Sequence, residues 1–381
     1  MRFELPVEVT FGDGVAAQLG DRLVALGVGK AAIVVEGPVA AIAPVAAMLA
    51  SCSAAGIDLA RFAKPPGEPT FPAAEEAGRW LHGSGADAVV AIGGGSTIDL
   101  AKAARFLAEC GGPLDRYLHA PVPGARLPLI ALPTTSGTGS EVSLDAVLTD
   151  ETTHTKVGFN STSLRPEQAL VDPLLSVSLP PGPTAYAGVD ALAQAIGGVI
   201  TTRRNPVSVA LGLEACRLVG RSLERGVRDG SDLAARRELA AASLLAGLSM
   251  SVSECAAEHS VGQAIGGLLG LAHGLTIGLV LAETLGVNRP ECADELERIA
   301  DSLGAEHAPD VPPGGRAIAE IRRLLAAVGF PTLRGVGVDE RHVDELVARS
   351  LRDDFVRYNP HHWTDSDFRA VYAEALALTA R

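Results

Sequence analysis

Short apolar runs, each closed by glycine or proline, alternate with alanine-rich helical stretches through the first half of the chain. The runs are residues 31–35, 86–92, 127–132 and 169–171. A strand that is apolar at every position is typical of a parallel sheet covered on both faces, because neither of its faces meets water. The pattern therefore predicts an α/β domain built around a parallel sheet, with helices between the strands.

The sequence pattern changes near residues 179–183, a segment that contains three prolines and one glycine. Beyond this point strand signals are scarce, and long helical patterns such as residues 206–226 and 233–253 dominate. A chain of 381 residues is also too long for one ordinary hydrophobic core. We therefore predict two domains, an α/β domain over residues 1–182 and an all-α domain over residues 183–381.

Charge and hydropathy argue against two classes of partner. The net charge is −13 and no Lys/Arg cluster stands out, which argues against nucleic acid. No apolar run is long enough to span a membrane. Residues 1–6 contain Arg2 and Glu4 and lack an apolar signal core, so we expect a cytoplasmic protein. The five scattered cysteines include no CxxC pair and are expected to be reduced thiols.

A run of glycines follows the apolar segment 86–92 and precedes a helical pattern. It consists of Gly93, Gly94 and Gly95, followed by Ser96. Residues without a Cβ allow the backbone to approach a pyrophosphate closely, and the N–H groups at the next helix start attract its charge. Three consecutive glycines exceed what a plain strand-to-helix turn needs. We therefore predict an anion site here, although the spacing is not the GxGxxG fingerprint.

A second loop, residues 133–141, also follows an apolar run. Its hydroxyl side chains Thr134, Thr135, Thr138 and Ser140 suit hydrogen bonds to ribose, phosphate or nicotinamide. Two such loops at the carboxyl ends of parallel strands fit one ligand lying across the edge of the sheet. The sequence thus predicts that residues 1–182 form a dinucleotide-binding domain.

Several motifs, in order along nearly the whole chain, resemble the iron-containing (group III) alcohol dehydrogenases, which have a dehydroquinate synthase-like fold. GGGSTIDLAK from Gly93 and PTTSGTGSEV from Pro133 resemble the two dinucleotide motifs of that family. HTKVGF around Lys156, GVDAL, AHG and YNP follow in the family's order. The resemblance implies an NAD(P)-dependent oxidoreductase. The cofactor-binding residues that we expect are Glu36, Gly93, Gly94, Gly95, Ser96, Asp99, Thr134, Thr135, Thr138, Ser140 and Lys156.

Glu36 ends the apolar run 31–35, at a position where the family commonly has an acidic residue. A carboxylate there can accept hydrogen bonds from the adenosine ribose, and it would repel a 2′-phosphate. We therefore expect NAD in preference to NADP. A solvated glutamate at the start of a loop would look the same in the sequence.

The resemblance also implies a divalent metal, held in the family by one Asp and three His. The matching positions here are Asp190, Gln194, His259 and His273, so one His is replaced by Gln. The family has a further His near the nicotinamide, where this chain has Gln263. Gln is a weak neutral ligand and cannot act as a base near neutral pH.

Two interpretations of this altered site remain open. Asp190, His259 and His273 can still bind Fe²⁺ or Zn²⁺ as a three-ligand set with an open position. Alternatively they form a hydrogen-bonded polar cluster without metal. In either case we expect residues 183–381 to form the substrate and metal domain, with His259, His273 and Gln263 as the catalytic candidates.

The function that we expect is the interconversion of an alcohol and a carbonyl group on a specialised small-molecule or peptide substrate. One narrower hypothesis is oxidation of a β-hydroxy acid, such as a peptide's C-terminal threonine in natural-product biosynthesis, followed by decarboxylation. An NAD-using lyase of the dehydroquinate synthase type and a non-catalytic NAD-binding partner are also compatible with the sequence. We also expect a homo-oligomer, such as a dimer.

Overall fold

The structure is a computed structural model that describes residues 7–118, 120–122 and 124–378. Residues 1–6, on which the expectation of a cytoplasmic protein was based, lie outside the described residues. The chain divides into two compact units. Among the described residues, the first unit comprises those from 7 to 135 and from 139 to 179, and the second comprises residues 136–138 and 180–378. The domain boundary at residue 182 stays a prediction.

The first unit contains strands connected by helices. Its strands are β1 (Glu8–Phe11), β2 (Lys30–Glu36), β3 (Asp58–Lys64), β4 (Ala88–Gly93), β5 (Leu129–Pro133), β6 (Asp145–Asp150), β7 (Thr155–Asn160) and β8 (Gln168–Val171). Its helices are α1 (Leu19–Ala25), α2 (Gly37–Ala40), α3 (Ala43–Ala54), α4 (Phe71–Ser84) and α5 (Gly95–Cys110). Within the described residues, six strands form one parallel sheet in the order β1-β8-β5-β4-β2-β3.

Strand β2 shows why these apolar runs form a sheet that is buried on both faces. Ala32 and Val34 pack into a core that contains residues of α4 and α5. Ile33 and Val35 point to the opposite face, into a core that contains residues of α1 and α3. Alternate residues of one strand therefore need apolar partners on both sides of the sheet. The predicted α/β domain with a parallel sheet is confirmed.

The elements that the sequence pattern missed lie at the edges of this sheet or outside it. β1 and β3 are the two edge strands. β1 has only exposed and partly exposed residues, and β3 mixes exposed with buried residues. β6 and β7 form a separate antiparallel pair, in which Asp145 is opposite Asn160. An edge strand meets water along one side, so it needs no continuous apolar run.

The second unit is built from helices. They are α6 (Pro181–Ile200), α7 (Pro206–Arg228), α8 (Leu233–Met250), α9 (Ala257–Leu269), α10 (His273–Gly278), α11 (Leu281–Asn288), α12 (Ala293–Leu303), α13 (Gly315–Ala327), α14 (Val343–Ser350) and α15 (Asp365–Ala377). No strand is assigned between residues 180 and 378, all of which the structure describes. The predicted all-α C-terminal region is therefore confirmed.

Helix α6 forms the centre of this second unit. Every residue from 188 to 200 is buried, and α6 packs against both α7 and α8. A helix that is apolar on all sides must be covered on all sides. Polar residues on α6 are therefore held inside the protein. Among the helices of the described part of the chain, none is long and apolar enough to cross a membrane.

Candidate functional site

The two glycine-rich loops leave the sheet side by side. β4 ends at Gly93 and β5 ends at Pro133, and these two residues are paired in the sheet. The backbone N–H of Thr134 donates to the carbonyl of Gly93 over 3.0 Å. Gly94 is the N-cap of α5, and a Cβ on Gly94 would lie 3.1 Å from Thr135 Oγ1. The loops thus form one surface at the carboxyl edge of the sheet, with the amino end of α5 directed toward it.

Asp99 and Ser140, both predicted to bind cofactor, contact each other. The hydroxyl of Ser140 donates to Asp99 Oδ1 over 2.5 Å, and the N–H of Val147 donates to Asp99 Oδ2 over 3.0 Å. Lys102 lies 3.8 Å from the same carboxylate and donates to the carbonyl of Asp145 over 2.6 Å. These contacts hold the second loop against α5.

Burial shifts the pKa values of three charged residues around the second loop: Asp99, Lys102 and Glu141. It raises the pKa of Asp99 and lowers the pKa of Lys102, since each charged form loses hydration. Glu141 is next to Ser140 in the second loop, and its burial raises its pKa to about 7. Glu141 is therefore partly protonated at neutral pH.

Glu36 lies at the same edge of the sheet, at the end of β2, which pairs with β4. Its Oε1 is 2.7 Å from Nζ of Lys64, a lysine whose side chain is buried. Lys64 also donates to the backbone carbonyls of Pro65 and Gly67 over 2.9 Å and 2.6 Å. The glutamate is therefore held by an ion pair, which its position in the sequence does not reveal.

Two other predicted cofactor residues lie apart from these contacts. Lys156 is on β7 of the first unit, and its buried Nζ is 3.2 Å from Glu68 Oε2. Thr138 belongs to the short segment 136–138, which is part of the second unit.

The predicted metal residues of the second unit meet at one point. Asp190 is on α6, His259 is in the first turn of α9, and His273 is the first residue of α10. Asp190 Oδ1 lies 3.7 Å from His259 Nε2 and 3.5 Å from His273 Nε2. One ligand atom from each residue lies within 4.8 Å of the others. Asp190 and His259 are buried, and the side chain of His273 is 20% exposed.

Gln194 is one helical turn after Asp190 and is buried beside it. Its Nε2 donates to Asp190 Oδ2 over 3.2 Å. The amide therefore holds one oxygen of the carboxylate while Oδ1 is directed toward the two histidines. Gln263, four residues after His259 on α9, is also buried.

A close approach of backbones brings His273 to Asp190. Gly274 follows His273, and a Cβ on Gly274 would lie 2.3 Å from the carbonyl oxygen of Tyr186 and 3.1 Å from Asp190 Cβ. Any larger residue would push α10 away from α6. The glycine of the AHG motif is therefore a packing requirement of the histidine that precedes it.

The YNP motif holds the start of α9. Asn359 Oδ1 accepts hydrogen bonds from the N–H of Ala257 over 2.9 Å and from Asn288 Nδ2 over 3.1 Å. Trp363 Nε1 in turn donates to Asn288 Oδ1 over 2.9 Å. This buried network fixes the first turn of α9, which carries His259.

Sequence reasoning missed Glu258. Its side chain is buried, and its Oε1 is 2.9 Å from His259 Nδ1. The resemblance to the family assigns no role to this position. The one indication in the sequence was that a charged residue directly precedes the candidate ligand His259.

Comparisons with known proteins agree over nearly the whole chain. A family model described as iron-containing alcohol dehydrogenase matches residues 6–173. A second model, described as the C-terminal part of the Fe-containing alcohol dehydrogenase family, matches residues 184–376.

Individual relatives and solved structures support the same grouping. The chain is 35% identical over 322 residues to long-chain-alcohol dehydrogenase 1 of Geobacillus thermodenitrificans, a match that covers 82% of this chain and 80% of the relative. It is 32% identical over 377 residues to 1,3-propanediol dehydrogenase of Klebsiella pneumoniae, with 96% of each chain covered. A crystal structure of 1,3-propanediol oxidoreductase superposes with a TM-score of 0.93 at 30% identity, over 98% of this chain and 100% of the other.

We expect Glu141 to make the stability of the protein depend on pH. Its folded pKa of about 7 lies above its ordinary value of 4.5, so the folded state keeps a proton that the unfolded state loses in that window. The free energy of unfolding should therefore fall as pH rises from 4.5 to 7, by on the order of 2 kcal/mol or more from this residue. Glu141→Gln should remove this part of the slope, as measured by urea unfolding across the range.

Asp99 and Asp145 contribute slopes of the same sign, because burial raises the pKa of both. The difference between wild type and Glu141→Gln isolates the one residue. Glu76→Gln, an exposed position on α4, is the matched control and should keep the wild-type slope. Identical slopes in wild type and Glu141→Gln would show that the pKa of Glu141 is the same in the folded and the unfolded state.

Proposed function

The chain belongs to the iron-containing alcohol dehydrogenase family, and from this membership we propose that it interconverts an alcohol and a carbonyl group on a specialised substrate, with NAD as the preferred hydride carrier. As a member of that family it is an NAD(P)-dependent alcohol dehydrogenase or reductase. The observation that carries the finer proposal is the cluster of Asp190, His259 and His273 beside an uncharged Gln194. The first unit would bind the dinucleotide, and the second would hold the metal and the reacting end of the substrate.

The first unit has the groups that a dinucleotide needs. The glycine-rich loop and the start of α5 offer backbone N–H groups to the pyrophosphate. Thr134 and Thr135 line the neighbouring loop and can donate hydroxyls. Glu36, at the adjacent strand end, can accept the ribose hydroxyls through its carboxylate.

The cluster in the second unit fits a divalent metal. With bonds of ~2.1 Å, two ligands of a tetrahedral ion lie about 3.4 Å apart, close to the 3.5 Å and 3.7 Å between Asp190 Oδ1 and the two Nε2 atoms. His259 Nε2 is buried and accepts no hydrogen bond from a described N–H or O–H group, although the Cys255 thiol lies close to the imidazole. Asp190, His259 and His273 would hold Fe²⁺ or Zn²⁺, which polarises the substrate hydroxyl and stabilises the alkoxide when bound.

The chain's own residues constrain the rest of the reaction. A bound nicotinamide would accept a hydride from the carbinol carbon, and the hydroxyl proton would have to leave separately. Gln194 and Gln263 are neutral amides and cannot accept that proton. His273 is the more exposed of the two histidines, so in a site without metal its Nε2 is the better placed acceptor.

The first test is net NADH formation. Purified protein supplied with NAD⁺ and Fe²⁺ or Zn²⁺ should form NADH with at least one alcohol from a screen of primary alcohols, diols and β-hydroxy acids. The screen is broad because the relatives' names range from long-chain alcohols to 1,3-propanediol. Gly94→Val should abolish NADH formation and NAD binding by calorimetry, since the branched side chain occupies the surface between the two loops.

Gly83→Val is the matched control. Gly83 lies exposed on α4 of the same unit, where an added Cβ meets no atom within 4 Å. It should keep NAD affinity near the wild-type value. Complete turnover of a substrate without net NADH would instead indicate a lyase, and unchanged NAD affinity in Gly94→Val would remove the assigned cofactor site.

Glu36 should determine the choice between NAD and NADP. Its carboxylate would repel a 2′-phosphate, and Glu36→Ser removes that charge while the ammonium of Lys64 remains nearby. We expect NADP affinity to rise relative to NAD by roughly tenfold or more, about 1.4 kcal/mol. Calorimetric titration with both dinucleotides measures the ratio. Glu76→Gln controls for the loss of an acidic group elsewhere in the unit, and an equal affinity of wild type for both dinucleotides contradicts the assignment.

Gln194→His should strengthen metal binding. The new imidazole stands on the helix face of Asp190 and suits Fe²⁺ or Zn²⁺ better than an amide oxygen. We expect the dissociation constant to fall by roughly tenfold or more, as measured by chelator competition and by metal content after dialysis. Gln263→His, the same change one turn after His259, is the control and should have a smaller effect.

The wild type provides the contrary result. If it retains a full equivalent of metal as tightly as Gln194→His does, the site is not weakened. Asp190, His259 and His273 are then a sufficient set of ligands by themselves.

A further inference from the structure

We propose that Glu258 is a positioning residue for His259: its buried carboxylate holds the Nδ1–H of the imidazole and turns the Nε2 lone pair toward Asp190. This role rests on the metal site proposed above. It adds a residue outside the expected ligand set, on the side of the histidine away from the cluster.

The contact between these two residues is specific. Glu258 and His259 are consecutive in the first turn of α9, where neighbouring side chains normally diverge around the helix. Here Glu258 Oε1 nevertheless lies 2.9 Å from His259 Nδ1 and also accepts the N–H of Ala256 over 3.2 Å. The imidazole is therefore held by its Nδ1 edge, and its orientation is set from within the same helix.

The chemistry of the pair determines the tautomer. A carboxylate only accepts hydrogen bonds, so Nδ1 of His259 carries the hydrogen. In the neutral ring the lone pair is then on Nε2, which lies 3.7 Å from Asp190 Oδ1. Two buried acceptors that face each other repel, unless a proton or a metal cation lies between them. The arrangement prepares His259 as a ligand through Nε2, as in sites where a carboxylate orients a metal-binding histidine.

The burial of Glu258 supports a role beyond packing. Its Oε2 is buried and has no hydrogen-bond partner within the described residues. A buried carboxylate oxygen without a partner is costly, and an amide of the same shape would avoid the charge. Glu258 would add a second negative charge near a divalent cation held by Asp190. The charges of the two carboxylates would then equal that of the cation. Gln194 adds no charge to this balance.

Two variants separate charge from orientation. Glu258→Gln keeps an oxygen that can accept the Nδ1 hydrogen bond but loses the charge, whereas Glu258→Leu loses both. We expect the dissociation constant for Co²⁺ or Zn²⁺, from chelator competition, to rise by about 10- to 100-fold in Glu258→Leu and by less in Glu258→Gln. Thermal unfolding of the metal-free proteins measures the purely structural effect.

Glu283→Gln is the matched control for removing a buried carboxylate. Glu283 is fully buried on α11 of the same unit and lies 3.4 Å from Arg322. This variant should lose stability while its metal affinity stays at the wild-type value. If Glu258→Leu binds metal as tightly as wild type, the positioning role is wrong.

A second readout does not need metal. Nitrogen NMR of the metal-free protein, recorded at a pH high enough for the imidazole to be neutral and with the His259 signals identified by their loss in His259→Gln, should show the hydrogen on Nδ1 in wild type. The signals should shift toward a mixture of tautomers in Glu258→Leu. Wild type that binds no metal would contradict the proposed metal site, and the tautomer would still decide the role of Glu258. A neutral ring in wild type with its hydrogen on Nε2 and not on Nδ1 overturns that role in every case.

Discussion

Carboxylates that are buried or nearly buried, in both units, impose the main constraint on this structure, because each needs donors arranged around it. In the first unit, Asp99 accepts hydrogen bonds from the hydroxyl of Ser140 and from a backbone N–H. These bonds hold the second glycine-rich loop against α5. In the second unit, Asp190 lies on the buried part of α6, and Gln194 donates a hydrogen bond to it. The loops and helices that could serve a cofactor are therefore positioned by the same contacts that make the buried charge tolerable.

The parallel sheet could be predicted because its central strands carry the whole signal. Strands buried on two faces, such as β2 and β4, have to be apolar along their buried positions. The edge strand β3 contains Arg61 and ends at Lys64, and its polar residues hide the strand from any search for apolar runs. Its assignment depends on pairing with β2, which is a long-range contact that local sequence does not encode.

The candidate site divides in the same way. The positions of Asp190, His259 and His273 followed from motifs, and the structure brings the three together. The motifs did not predict the contacts between distant segments. These are the ion pair of Lys64 with Glu36 and the hydrogen bond that Asn359 accepts from the first residue of α9. Glu258 was hidden for another reason. Neighbouring residues on a helix are expected to point apart, so the sequence offers no ground for pairing it with His259.

Replacement of a histidine by Gln194 changes more than the number of candidate ligands. An imidazole at this position would offer the cluster a lone pair, whereas the amide donates a hydrogen bond from Nε2 to Asp190 Oδ2. That bond leaves Oδ1 as the oxygen directed at the two histidines. On the far side of His259, Glu258 accepts from Nδ1 in a corresponding way. A residue that donates to the carboxylate and one that accepts from the imidazole thus orient the two groups toward each other, so the number of candidate ligands alone understates how far this site is organised.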